Sequence, residues 1–528
     1  MSRHDGVLHS INTPENNAVD RFIMQHRDLI VGSLSCFDRV LFKGHLPISH
    51  AQGLDVFLTR LGVKLKEFKS FAVDVAQRLK AHAEEMAERA GREHRYLPGV
   101  VRKEQLAREI AERDGVQRGL ICVLATVEPS LSFRLMYGEG RPRLRSEWRK
   151  CLVHYFYFLD PDFGFMHVRR PTWFPFTMQV YVNGHEWLAR QMKRFRWVFE
   201  KLDNAFLSIA NPERAQHLSD QFARLDWPAI LDDFARRFNP LHGDLLETLK
   251  YHWVTDQAEY ATDIMFKARA ALEGLQQRLL HHAITSFSAE DVMRFLGKKL
   301  HPLFQGQLVS DVKRRPEGVR VGHRVKRNWI KMYGKHGQIL RVETVINQPR
   351  EFKVRRTTRS QGELRARWSP MPKGVAFLDR YQRICHAANG RYLDGLVGVQ
   401  DPSDARRVLD RLAAKTTKAG RSLRGFNPAD PEDARLFIAV LRGEHVINGF
   451  RNRHLRQQLF GADPTARDEA RRRSAQVTRL LNRLHSHGYI AKIPRTHRWR
   501  VTNKGRAVMS AIIDIRENAF PAALSKAA

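Results

Sequence analysis

Apolar and polar positions change their rhythm several times along the chain. DLIVGSLSCFDRVLFKG (28–44) has the pattern of a strand, and residues 66–92 that of a helix carrying acids and bases on its outer face. GLICVLATVEP (119–129) is an apolar run of buried-strand length. KCLVHYFYFLDPDFGFMHVRRP reads as two strands joined at Asp160-Pro161-Asp162-Phe163-Gly164, with turn residues where a turn needs them. TMQVYVN (177–183) predicts another strand and GHEWLARQMKRF a helix. Together these imply an α/β arrangement of adjacent, antiparallel strands. Residues 211–300, with LxxxF and ALxxLxxxL spacing, predict a mainly helical stretch.

IKMYGKHGQILRVET (330–344) predicts a β-hairpin. A three-residue loop of Lys335, His336 and Gly337 puts Gly337 in the left-handed position such turns favour. Tyr333 then pairs with Ile339, and Lys331 with Arg341. Ile330, Met332, Leu340 and Val342 share one face, and Trp329, Lys331, Tyr333, Arg341 and Glu343 the other, a half-buried hairpin with one polar side.

A chain of 528 residues exceeds one core. Composition and pattern divide it into an α/β domain (1–205), a mainly helical region (206–304), a basic hairpin-containing domain (305–425) and a C-terminal domain (426–528), an α+β multidomain protein. Hydrophobic content of 43% and 28% charge fit a folded chain. The 90 Lys+Arg against 56 Asp+Glu leave +34, which points to a polyanion: DNA first, structured RNA second. Residues 311–360 hold 15 Lys or Arg against 4 acids. There is no apolar run long enough for a bilayer, so no membrane partner is expected. MSRHDGVLHSINTPENN lacks a secretory h-region, and Cys36, Cys122, Cys151 and Cys385 form no CxxC pair. A cytoplasmic, nucleoid-associated protein is the expectation; oligomeric state stays open.

The C-terminal pattern gives three helices and a hairpin: DARLFIAVLRG, HVINGFRNRHLRQQLFG, then a helix from Ser474 with Val477, Leu480, Leu481 and Leu484 at helical spacing, then strands YIAKI and HRWRVT around Pro494-Arg495-Thr496. Residues 471–506 contain 11 Lys or Arg and no acid. This order resembles the MarR-like winged helix-turn-helix, and the resemblance implies that the last helix enters the major groove while the wing meets the backbone. Arg471, Arg472, Arg473, Gln476, Arg479 and Arg483 are the helix candidates for nucleic-acid contact, and Arg495, His497 and Arg498 the wing candidates. A protein-binding winged helix, or a merely solvated charged face, is the alternative.

The polar face of the 330–344 hairpin, with EYATDIMFK (259–267), resembles the strand pair of rolling-circle replication initiators. That resemblance implies Tyr333 as nucleophile, Glu343 and Asp263 as ligands of Mg²⁺ or Mn²⁺, and Lys331, Lys335 and Arg341 as supports for phosphate charge. The family's His-x-His metal pair is missing, and His323 stands alone. The alternative is a cross-strand ion pair of Glu343 with Lys331 or Arg341 beside a packed tyrosine. Asp38 and Glu128, each at a strand end, form a second possible metal pair, whereas Asp160 and Asp162 are turn residues. Arg169, Arg170 and Trp173, with Phe174, Phe176, Tyr181, Trp187 and Arg190, read either as a base-stacking basic groove or as a core behind a basic surface. His154, His167 and His185 lack mutual metal spacing.

Phrases such as SCFDRVLFKGHLP, TWFPF, NGHEWLARQ and LRGEHVINGFRNRHLR resemble those of a widespread group of bacterial proteins labelled MarR-like for their C-terminal winged helix; this resemblance implies the long architecture and no reaction. The readings that follow are a DNA-processing protein of a mobile element or replicon, an initiator- or transposase-like endonuclease or strand transferase, or a non-catalytic regulator or ribonucleoprotein scaffold.

Overall fold

A computed structural model describes residues 16–137, 142–300, 304, 306–315, 318–360, 363–397, 409–418, 421–445, 449–462 and 464–519. Residues 1–15 of the stretch read for a signal, and residues 446–448 of the HVINGF phrase, lie outside them. Among the described residues, no helix is long and apolar enough to cross a membrane. The chain divides into two units, each built from separated segments: one from Arg27–Arg269 and Arg327–Asn389, the other from Met1–His26, Ala270–Lys326 and Gly390–Ala528.

Long strands dominate the first unit. They are β1 (Ile30–His45), β2 (Glu93–Tyr96), β3 (Gly119–Met136), β4 (Arg143–Asp160), β5 (Gly164–Pro171) and β6 (Met178–Val182). A separate hairpin follows, β7 (Phe199–Leu202) with β8 (Ala205–Ile209), then β9 (His252–Phe266), β10 (Asn328–Lys335) and β11 (Ile339–Ile346). The sheet order is β10-β11-β9-β1-β6-β5-β4-β3-β2. Every neighbouring pair is antiparallel except β2 with β3. The unit is thus a mixed α/β structure, with helices α1 (Phe68–Arg89), α2 (Lys103–Arg113), α3 (Gly184–Arg194), α4 (Pro212–Gln221) and α5 (Trp227–Phe238) beside the sheet. Ala107 and Ile110 of α2 pack on Ile121, Cys122 and Leu124 of β3 and on Tyr157 and Phe165. Trp227 and Phe234 of α5 meet Phe42, Phe163 and Phe158. A further two-stranded sheet, β12 (Lys353–Ser360) with β13 (Glu363–Pro370), stands by itself.

Two expectations are corrected here. Residues 252–266, inside the stretch read as mainly helical, form β9, whose apolar and β-branched residues are paired on both edges. In the β10–β11 hairpin Lys335 faces Ile339, so the loop is His336-Gly337-Gln338 and Tyr333 lies opposite Arg341 rather than Ile339. His336 and Gly337 both take left-handed backbone angles (φ 51° and 70°). A slip of two residues keeps every side chain on its expected face. The polar face is half-buried on β10, at Trp329, Lys331 and Tyr333, but all of β11, which lies between β10 and β9, is buried.

In the second unit, strands Leu308–Arg315 and Gly318–Val325 form a hairpin. Its C-terminal part runs α6 (Pro431–Val440), α7 (Asn452–Phe460), α8 (Arg467–Ser486), β14 (Ile490–Lys492), β15 (Trp499–Val501) and α9 (Asn503–Asp514). Leu436, Phe437, Leu455, Val477, Leu481, Leu484, Tyr489 and Met509 make one core. Phe450 bridges to Trp499 ahead of α7. Helix α8 starts seven residues before Ser474, where the sequence pattern placed it. Asp468 and Glu469 sit in its first turn, favourable at a helix N-terminus, and Glu469 pairs with Arg472 and Arg473.

Candidate functional site

In the first unit, acids and cations gather on one face of the sheet. Residues Phe37 and Arg39 of β1 pair with consecutive residues of β9, leaving Asp38 as the extra residue of a bulge, which turns its side chain out of the normal alternation. Glu259 and Asp263 share a face of β9 with Ala261 between them. Across the ladder, Arg341 faces Asp263 and Glu343 faces Ala261, whose small side chain leaves room for the carboxylate. On the other edge of β11, Lys331 lies opposite Glu343. Helix α3 supplies His185. Its cap, Asn183, accepts from Glu186 N at 3.1 Å. A Cβ on Gly184 would stand 2.5 Å from the Phe37 carbonyl oxygen, so glycine is what lets this helix start against β1.

Arg341, fully buried, organises one half of the site. Its Nε and Nη2 donate to the two oxygens of Asp263 at 2.6 and 2.7 Å, and Nη2 donates to the Asn204 carbonyl at 2.7 Å. Nη1 lies 3.2 Å from Asp38 Oδ1, which also accepts from Asn204 Nδ2 at 2.6 Å. His185 spans the two acids, 3.3 Å from Asp38 and 3.5 Å from Asp263. Burial alone would raise both carboxyls, but Arg341 overrides it, holding Asp263 at about 2 and Asp38 far below the usual carboxylate range. Burial and then Arg341 bring Lys335 down to about 8.

The other half is carboxylate against carboxylate. Asp38, Glu259 and Glu343 offer oxygens within 4.8 Å of one another. Glu343 Oε2 accepts from the Tyr333 hydroxyl at 2.9 Å, while its buried Oε1 accepts from no N–H or hydroxyl, Lys331 Nζ standing 3.6 Å away; the remaining partner of Glu343 is the carboxyl of Glu259. Lys331 also lies 3.7 Å from Glu259, and Gln257 donates to Glu259 Oε1 at 2.7 Å. Burial, then Glu343, push Glu259 up to about 9; burial opposes ionisation of Glu343 too, but the proton on Glu259 and the Lys331 cation keep it ionised. The pair therefore shares one proton at neutral pH. Tyr333 is pushed well above its ordinary value by burial and by Glu343. Side-chain exposure falls from 16% at Lys331 to 3% at Glu343 and zero at Arg341, so the site meets solvent at its Lys331–Glu259–Asp38 margin.

Tyr333, Glu343, Lys331, Arg341 and Asp263 are thus neighbours, yet the expected ligand set changes. Asp263 has both oxygens committed to Arg341, and the acids that converge are Glu343, Glu259 and Asp38. Asp38 does not pair with Glu128, which accepts from Tyr155 at 2.8 Å and pairs with Arg169 at 3.2 Å and Lys103 at 2.9 Å. Arg170 is no nucleic-acid contact: fully buried, it donates to the carbonyls of Phe238 and Leu79, both at 2.6 Å. Trp173 is half-buried among the buried Phe174 and Phe176, a core and not a stacking groove. Asp160 caps its turn through the amides of Asp162 and Phe163. Glu259, His185 and Asn204 were not read as site residues; Glu259 was legible only to a period-two reading of residues 252–266.

In the second unit, α8 and the β14–β15 turn carry the acid-free run. Arg471, Arg472, Gln476 and Arg479 are exposed on α8, and Arg495 and His497 on the turn, with Arg498 half-buried. Arg456, Arg471, Ser474, Ala475 and Thr478 line an open groove between α7 and α8. Arg473 is half-buried, paired with Glu469 at 2.9 Å. Arg483, expected at the surface, is buried: it grips both oxygens of Asp433 at 2.7 and 2.8 Å, donates to the Gly425 carbonyl and lies 3.8 Å from the Phe426 ring centre.

No family model matches the chain, and neither a curated protein nor a solved structure matches it.

Proposed function

We propose that this protein binds duplex DNA through its C-terminal region, folded as a winged helix, with α8 in the major groove and the β14–β15 turn on the backbone. The observation that carries this reading is the run without an acid, residues 471–506, folded onto an exposed helix face and an adjoining hairpin tip. The order α6, bridging Phe450, α7, α8, β14, β15 supports it, since winged helices place a short strand before the helix pair. Binding of selected duplex fragments, followed by fluorescence anisotropy across salt concentrations, tests it. Arg479→Ala is expected to weaken binding about 5- to 150-fold if it reads a base, or to lower the salt slope by about one if it meets a phosphate. No binding by the native chain, or unchanged affinity and slope in both Arg479→Ala and Arg472→Ala, would end the proposal.

A second reading, strand nicking and joining in a mobile element or replicon, is favoured by the carboxylate trio beside Tyr333. Asp38, Glu259 and Glu343 would hold Mg²⁺ or Mn²⁺, and the buried Glu343 Oε1, which accepts from no N–H or hydroxyl, fits a ligand atom. The cation supplies charge neutralisation at the phosphoryl oxygens. Tyr333 Oη would bond to phosphorus as its proton passes to Glu343, the P–O3′ bond breaking and the 3′ oxygen taking a proton to leave a 5′-phosphotyrosine. Supercoiled and single-stranded DNA incubated with either cation should be nicked by the native chain and not by Tyr333→Phe or Glu343→Ala. Equal cutting by all three would remove this site from consideration.

A further inference from the structure

Two β-ribbons in the first unit share a construction unlike the rest of its sheet. β4 pairs with β5 only from Val153 to Asp160, so its first half has β3 as its one partner. There Arg134 lies directly opposite Arg145, and Trp148 is 69% exposed beside the exposed Arg149 and Lys150. The separate β12–β13 ribbon repeats the arrangement. Arg356 lies directly opposite Arg367, Arg355 is across from Trp368, and Trp368 is 68% exposed. Lys353, Arg355 and Arg367 are exposed as well. Acids are few on either ribbon: Glu147 pairs with Arg149 at 3.4 Å, Glu128, opposite Cys151, is held by Lys103 and Arg169, and Glu363 lies opposite Ser360.

Neither ribbon is built for stability alone. A two-stranded ribbon is marginal in water, like charges directly opposite destabilise it, and an exposed indole gains nothing from solvent. Each feature becomes favourable against one kind of partner: a strand with phosphates to neutralise the arginine pairs and open bases to stack on the rings. A closed duplex offers the phosphates but hides the base faces. We propose that these two ribbons are arms that grip single-stranded nucleic acid, the arginines on the backbone and Trp148 and Trp368 on unpaired bases.

This goes beyond duplex docking by α8, and the test separates the two. Full-length protein is titrated into fluorescently labelled 20-mers of deoxythymidine and of uridine, which form no duplex, and into a blunt duplex. Trp148→Ala and Trp368→Ala should each weaken single-strand binding about 5- to 100-fold, with the melting temperature and duplex binding unchanged. Trp148→Tyr should retain most of the affinity. Arg479→Ala should leave single-strand binding intact, so failure of the winged-helix reading does not touch this one. Preference for the deoxy- or the ribo-oligomer supports the proposal and names the sugar. It is overturned if the native chain binds neither oligomer, if both alanine variants bind as well as native, or if duplex affinity falls in parallel.

Discussion

Glu259 shows how one side chain sets the pH response of its surroundings. Burial and the neighbouring Glu343 hold its folded value near 9, far above that of an unfolded glutamate. Such a group stabilises fully below the unfolded value, and its contribution is lost as pH rises toward the folded one. The Glu259 contribution to stability should therefore fall between about pH 4.5 and 9, while buried histidines such as His154 and His167, held neutral by burial, act the other way at the acid end. Glu259→Gln keeps the neutral shape without the proton, so its melting temperature should exceed native by a few degrees at pH 8 and converge with it at pH 5. Thermal scans over that range check this, and a native protein no less stable than the variant at pH 8 would contradict it. Asp38 and Asp263 act in the opposite direction: Arg341 lowers both, so their contribution is present above the unfolded value and fades in acid.

Among elements, α8 shows how much a charge pattern conceals. Its cations look alike in sequence, but Arg479 is exposed while Arg483 is locked on Asp433. Removing one partner of a buried pair strands the other, so Arg483→Ala should cost about 3–5 kcal/mol. Chemical denaturation measures that directly; a loss below 1 kcal/mol would mean Asp433 finds other donors. The strands at 30–45, 119–129, 151–171 and 178–182 were legible because their apolar runs are long and their turns carry Asp, Pro and Gly, whereas β2 and the polar outer halves of β3 and β4 show no such run. The hairpin faces were legible too, since a two-residue slip leaves them unchanged. β9 was hidden by apolar spacing that fits helix and strand alike. The cluster of Glu259 with Glu343 and Asp38 was invisible for another reason: it depends on a bulge at Asp38 and on strands far apart in sequence lying side by side. Sequence pattern likewise favoured the aromatic segment around Trp173, which packs inward, over Trp148 and Trp368, isolated residues on ribbons that only the pairing register reveals.

At the scale of the whole molecule, much of the surplus of cations is gathered on particular elements: α8 and its hairpin in one unit, the two ribbons in the other. The buried site inverts that balance, with acids outnumbering what Arg341 can pair. Each unit is stitched from separated stretches, and this constrains how the protein is made. As the chain leaves the ribosome, β9 can zip onto β1, yet its far edge waits for β11, and until then Asp263 has no guanidinium to meet. A product ending before residue 339 would keep an open edge and a stranded buried charge, two marks by which quality control distinguishes fragments from finished protein. Interleaving thus makes partial synthesis self-reporting: a half-made copy cannot pass as a working one.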